Sequence, residues 1–342
     1  MRPISAAILW FVVGFGQALG AGTVELSNEH LRLGFDSATG SLKDFYGREQ
    51  KHQYLAPQAN GPLWELRYRE TVGGAAGTLN STQAVAFHIE RLGPAAVRLK
   101  WEGFNLPLAP QLRVEAVVDL EQSSALSRWK IAVRHTAELR LDQVLFPCAP
   151  NLAPQTNEFL AVPLWMGRIV EQPRAWLNQD GQAREVRGDY PGLTSMQCLA
   201  FYRQNGPGFY ISCDDTNALP KTFVFSGDGR DGAKFSLTQL PTGGNTQTRD
   251  YAQPYSVILG AFAGDWVTAA ERYRAWATRQ WWANESRAPR ASRHWAQNTG
   301  LWVWNRGHSE DVIEPALLLQ QKLNLPVSVM WHWWHQCAYD VG

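Results

Sequence analysis

The chain has almost no charge of either sign to spare: 32 Lys and Arg against 31 Asp and Glu leave +1 at pH 7 over 342 residues. So even a balance gives no electrostatic footprint for nucleic acid or an anionic membrane, and neither is expected as a partner. Cysteine is scarce. There are four, Cys148, Cys198, Cys213 and Cys337, and no Cys/His spacing resembles a zinc site. No repeat of fixed period and no low-complexity block is present, which argues against a solenoid or a compositionally disordered chain. From Thr23 to about Phe262 there is no helical periodicity of any length, which argues against a helical bundle there.

What the sequence does contain is tryptophan. Sixteen are present, and ten of them lie from Trp266 onward. Aromatic enrichment of that kind occurs at binding surfaces as well as in cores. Apolar content of 45% with 18% charge fits an ordinary globular protein with ample core, long enough for two domains.

Arg2, the apolar run Ala6 to Phe15 and the small residues around Ala18-Leu19-Gly20 read as a signal peptide over residues 1–21. The run is too short for a membrane span of ~20 residues. A secreted or periplasmic location is expected, with no membrane contact after cleavage. The cysteines then meet an oxidising compartment. A hairpin centred on Gln204-Asn-Gly-Pro207 sets Cys198 opposite Cys213. A bridge also needs a carbon separation that sequence does not give, so buried free thiols are the expectation.

Residues 22–262 read as β throughout. Leu31, Leu33 and Phe35 alternate, Asp36-Ser-Ala-Thr-Gly40 makes a turn, and Leu42 and Phe45 follow. Further runs include Leu112 to Leu120, Arg128 to His135, Gln197 to Tyr202, Phe209 to Cys213 and Tyr255 to Leu259. So many short strands predict a large antiparallel β-supersandwich. Residues 263–292 are a linker segment. In it Asp265 caps a helix running to Trp282, whose aromatic stripe is expected to be a packing face between domains. The polar stretch Asn284 to Ser292 follows.

Residues 293–342 begin a βαβ pattern. Gly300 to Trp304 is a strand, Ser309 to Leu323 a helix capped by Ser309, and Val327 to Trp331 a second strand. One strand, one helix and one strand cannot close a sheet, and a (β/α)₈ barrel takes about 200 residues or more. The chain is therefore expected to be a truncated piece of a longer protein, ending on the incomplete start of a TIM barrel. The apolar run Pro326 to Met330 opens into Trp331, His332, Trp333, Trp334 and His335, with Asp340 beyond. Parallel α/β folds meet ligands where strands end. Indoles stack on the apolar faces of sugar rings, and imidazoles and carboxylates take hydroxyls. Trp304, Trp331, His332, Trp334, His335 and Asp340 are the candidate sugar contacts.

Several segments carry a family resemblance: Val24 to Leu42, Arg128 to His135 leading to Val144-Leu-Phe-Pro147, and Tyr190-Pro-Gly192 with Met196-Gln197. Gly208 to Asp215, Gly264 to Trp276 and Trp331 to Asp340 continue it. In that order they resemble secreted glycoside-hydrolase-like proteins that pair a galactose-mutarotase-like β-supersandwich with a TIM barrel. Within that group the chain resembles an uncharacterised family most, and is more distantly similar to the endo-α-N-acetylgalactosaminidases. The resemblance implies hydrolysis of O-glycosidic bonds in an oligosaccharide, polysaccharide or glycoconjugate. It also implies two catalytic carboxylates on later barrel strands, beyond Gly342, and a hydroxyl-binding role for Asp340. On that reading this chain itself lacks the catalytic pair, and no cofactor or metal is called for.

Two other functions fit the same residues. One is a non-catalytic carbohydrate-binding protein using the aromatic tail as a platform. The other is a sugar epimerase acting on the sandwich's concave face, for which His88, His135 and several Glu are available as acid and base, with no local spacing that singles out a pair. A metal site at His308, His332 and His335 is set aside, because a His-x-x-His spacing at a strand end does not aim both rings at one ion.

Overall fold

The computed structural model describes residues 22–57, 61–136, 138–241, 250–285 and 294–332. The signal-peptide segment, Trp333, Trp334, His335, Cys337 and Asp340 lie outside them. The chain divides into two compact units, Met1–Ala275 and Trp276–Gly342.

The first unit is a large antiparallel sandwich. Its widest sheet contains Glu158–Val162 (β1), Arg168–Glu171 (β2), Cys198–Arg203 (β3), Gly206–Cys213 (β4) and Val257–Gly264 (β5), in the spatial order β2-β1-β3-β4-β5. Leu126–Arg134, Arg113–Leu120, Ala96–Glu102 and Ala86–Gly93 continue it, and Tyr251–Ala252 also pairs with Leu126–Arg134. A six-stranded sheet runs Glu185–Tyr190, Lys221–Ser226, Lys234–Gln239, Leu139–Ala149, Glu65–Glu70 and Ala76–Asn80. A four-stranded sheet holds Thr23–Ser27, Leu31–Asp36, Leu42–Gly47 and His52–Gln53.

All three sheets contribute to one core. The alternation of Leu31, Leu33 and Phe35 puts each of them fully inside. Trp129 meets Phe35 at 5.9 Å and Phe146 at 6.2 Å, and Phe201 stacks on Phe225 at 5.9 Å. Two of the three fully buried indoles bond their N–H groups: Trp101 donates to Thr39 O at 2.8 Å and Trp129 to Ser127 Oγ at 2.8 Å, while Trp64 Nε1 has no partner among the described residues. Each such ring removes on the order of 200 Å² from water, a contribution of roughly 5 kcal/mol. The turn at Asp36 forms as read: its carboxylate accepts from Ala38 N and Thr39 N. Gly40 sits at φ +70, where a Cβ would lie 2.6 Å from Phe87 and Trp101.

Three readings of this unit are corrected. The β3–β4 hairpin forms, but its register pairs Cys198 with Ser212 and not with Cys213. One residue of slip puts the two thiols on opposite faces of the sheet, and both are free and buried. The strand expected to reach His135 ends at Arg134; His135 is exposed at φ +63. The helix after Asp265 is Trp266–Ala277 (α1), not a run to Trp282. Asp265 does cap it, accepting from Val267 N at 2.9 Å. The helix stops where the Gln280 side-chain amide donates to Trp276 O, a bond that takes one of the last carbonyls. A separate turn, Trp281–Glu285, follows.

In the second unit Leu301–Arg306 (β6), Ser309–Leu323 (α2) and Val327–His332 (β7) make a parallel β-α-β element. Among the described residues two strands are present, not a closed barrel. The helix has His308 at its cap position, one residue earlier than expected, and Asp311 accepts from His308 N. Pro315 lies inside α2 and cannot donate to the carbonyl of Asp311. Asn305 on β6 supplies the missing donor, with Nδ2 at 2.9 Å from Asp311 O.

Candidate functional site: the open face of the parallel strands

β6 alternates in burial, half-buried at Leu301, Val303 and Asn305 and exposed at Trp302, Trp304 and Arg306. Asn305 reaches α2, so the half-buried face is the helix side. The other face is open. On it Trp302 is 53% and Trp304 72% exposed, and their register partners on β7 are Ser328 and Met330. Paired residues of parallel strands point to the same side, so Trp304, Met330 and His332 share this face.

The geometry sorts the candidate contacts. Trp304 and His332 meet, with ring centroids 5.3 Å apart in a T-shaped arrangement. Trp331 falls on the helix side, where its Nε1 donates to Gly307 O at 3.0 Å. It is anchored as a structural residue and is removed from the open face. Trp334, His335 and Asp340 are outside the described residues. Trp302 is a member of the open face that site selection from the sequence passed over. Its signal was in plain view, since residues two apart on a strand share a side and Trp302 is two from Trp304. Trp295 extends the aromatic surface, its ring 6.0 Å from that of Trp302.

Chemically, this face offers flat indoles along a parallel strand pair, Trp302 near the amino end of β6 and Trp304 further on beside the His332 imidazole at the carboxyl end of β7. It provides stacking surface and a hydrogen-bonding ring. Among the described residues it provides no acid–base pair: the carboxylates of the βαβ element, Glu310, Asp311 and Glu314, sit on α2. On the sandwich, His88 is exposed on the edge strand Ala86–Gly93. His135 follows the third strand in from that edge, and the two do not meet.

A family profile described as a domain of unknown function, DUF6259, matches residues 251–342. No curated protein matches the sequence. Among solved structures, the α-N-acetylgalactosaminidase NagBb from Bifidobacterium bifidum is similar in fold. Its Gal-NHAc-DNJ complex aligns with a TM-score of 0.62 at 15% identity, covering 93% of this chain and 52% of that chain. Its GalNAc complex gives 0.61 at 16%, covering 93% and 53%. A galactose mutarotase related enzyme from Lactobacillus acidophilus aligns at 0.46 and 9% identity, over 71% of this chain and 99% of that one. The fold is thus mainly β, an antiparallel sandwich similar to that of NagBb. This chain spans about half the length of the NagBb chains it matches.

Proposed function

We propose that the protein acts on carbohydrate, as a secreted or periplasmic glycoside-hydrolase-like protein that in its full-length form cleaves O-glycosidic bonds. The observation that carries this reading is the open face of β6 and β7, where the exposed Trp302 and Trp304 lie on one side of the strand and Trp304 meets His332. Sugar rings have an apolar face that stacks on an indole and a rim of hydroxyls that an imidazole can bond. The shared fold with NagBb, over 93% of the chain, supports the same class of ligand. Hydrolysis requires two carboxylates flanking the scissile bond, and none of the residues described here is assigned that role. Asp340 is proposed to hold a hydroxyl beside the aromatic face. His335 and Trp334 are proposed sugar contacts on the same segment.

The test uses the full-length secreted protein with a panel of 4-nitrophenyl glycosides, an α-N-acetylgalactosaminide first among them. Saturation-transfer NMR against the free sugars accompanies the assays. The expected outcome is binding or release of at least one glycoside. Trp304→Ala weakens it about tenfold or more, as loss of one stacking surface should. A protein that neither binds nor cleaves any of the panel, or a Trp304→Ala variant that binds as wild type, ends this reading.

A further inference from the structure

The first unit carries a polar pocket that the sugar reading of the parallel strands does not use. It lies between the start of β1, the short helix Pro173–Leu177 and the loop that joins Lys221–Ser226 to Lys234–Gln239, with a volume of about 350 Å³. Glu158 opens β1, turns inward with Leu160 and is 5% exposed. Arg174 donates to its carboxylate from Nη2 at 3.0 Å and from Nε at 3.2 Å. The same guanidinium reaches Leu152 O from Nη2 at 3.1 Å and Asp231 O from Nη1 at 2.6 Å. That last bond ties the start of β1 to a loop of the six-stranded sheet and fixes the pocket's two sides to each other.

The rest of the lining holds polar groups in surplus. Gln155 Oε1 is buried with no partner among the described residues. Arg230 and Asp231 are exposed and make no ion pair, with each other or with any other described residue. Gln172 sits at φ +46, a conformation uncommon outside glycine, with its N–H on Glu158 O at 2.9 Å. Strain of this kind collects at ligand-binding surfaces.

Two carboxylates and two guanidiniums line the pocket, so it selects no net charge. It asks for donors at Gln155 Oε1 and the Asp231 carboxylate. It asks for acceptors at Arg230 and at the one N–H of Arg174, out of five, that the contacts above leave over. Hydroxyl groups are both donor and acceptor, and several on one ring meet these demands together. We propose that this pocket binds a neutral cyclic polyol of monosaccharide size, through hydroxyls that donate to Gln155 and Asp231 and accept from Arg230 and Arg174. The volume is at the lower end of the range used by small-ligand pockets. The site stands on its own lining, separate from the indole face, so the two readings fail separately.

Saturation-transfer NMR on the full chain carrying Trp304→Ala, which removes the proposed stacking surface, tests this with myo-inositol. Cyclohexanol, with one hydroxyl, and glycine, a zwitterion, are the comparison probes. Inositol is expected to bind and the other two to bind at least about tenfold more weakly. Adding Arg230→Ala and Asp231→Ala should weaken inositol about tenfold or more, in line with loss of two charge-assisted bonds. Both side chains are exposed, and the Asp231 carbonyl that Arg174 holds is kept, so the fold is expected to persist; the melting temperature checks this. If inositol does not bind, or binds the further-substituted protein equally well, the proposal is overturned. It is likewise overturned if cyclohexanol or glycine binds as tightly as inositol.

Discussion

At the scale of single residues, the sandwich holds a buried ion pair and a half-buried imidazole whose behaviour follows from burial. Lys221 and Asp215 are 0% and 2% exposed and pair at 2.6 Å. The ammonium also donates to Leu219 O at 2.6 Å and lies 4.5 Å from the Tyr255 ring centroid. Asp215 in turn accepts from Asn217 N and Leu219 N. Removing one partner leaves the other charged and buried, so Lys221→Met should cost about 3–5 kcal/mol in urea unfolding. Adding Asp215→Asn should recover part of that loss by removing the buried charge, although its one amide oxygen can accept from only one of Asn217 N and Leu219 N, which bond different oxygens of Asp215. A neutral Lys221→Met would show that the pair is not sealed from water. The second group is His52, whose pKa is lowered by burial and by the nearby Arg203 charge. Its Nε2 is buried without a partner among the described residues. A folded-state pKa below the unfolded one means that the unfolded chain binds the proton first. Stability is therefore expected to fall as pH drops below about 6.5, through the window down to the folded value. In thermal melts from pH 7.5 to 5, His52→Gln should flatten that decline; an unchanged slope would assign the acid sensitivity elsewhere. Neither group was legible in the sequence. Lys221 opens an apolar strand and His52 follows a turn, and nothing local to either says how deep the tertiary packing carries it.

At the scale of elements, α2 is the clearest case of a helix whose sequence contradicts its fold until the neighbouring strand is considered. Pro315 removes a donor seven residues into the helix, and Asn305 on β6 covers the carbonyl left open. Asn305→Ala is expected to lower stability by about 1 kcal/mol. Pro315→Ala should restore part of it by returning the backbone N–H. If the two effects are additive in a double-mutant cycle, Asn305 and Pro315 are not coupled through Asp311. The span of α2 was readable from its periodicity, because one face packs on two strands. The hairpin β3–β4 was readable too, but its register was not. Asn205 takes φ +54 in the turn, and that choice of turn sets Cys198 against Ser212. A single residue of offset decides whether two cysteines face each other, and no pattern in the flanking strands encodes it. The fate of Trp331 has the same origin. A run of adjacent aromatics looks like one cluster in sequence, yet strand alternation sends Trp331 to the helix and leaves Trp304 with His332.

For the molecule as a whole, the division of grammar along the chain, strands first and a βαβ pattern last, was visible in the sequence. Each half draws on local periodicity and turn chemistry. Which strands neighbour which was not visible. The ten-stranded sheet places β5 between β4 and Leu126–Arg134, an adjacency that only long-range packing sets. That adjacency makes the two units unequal. Each amide of β5 belongs to a strand paired on both sides, and its first six residues are buried. β6 and β7 pair only with each other among the described residues, with Trp302, Trp304 and Met330 exposed on one side and Leu317 and Leu318 exposed on the covering helix. Local opening of the parallel pair breaks few contacts, whereas opening β5 disrupts the sandwich core. Hydrogen exchange at neutral pH should therefore show β5 amides protected at least about a hundredfold more than those of β6 and β7, a difference of ~3 kcal/mol in opening free energy. Equal protection would mean that both faces of the parallel pair are covered in the protein as it exists. The open indole face would then be an interior surface of a larger assembly, and sugar would have to reach it from the strand ends alone.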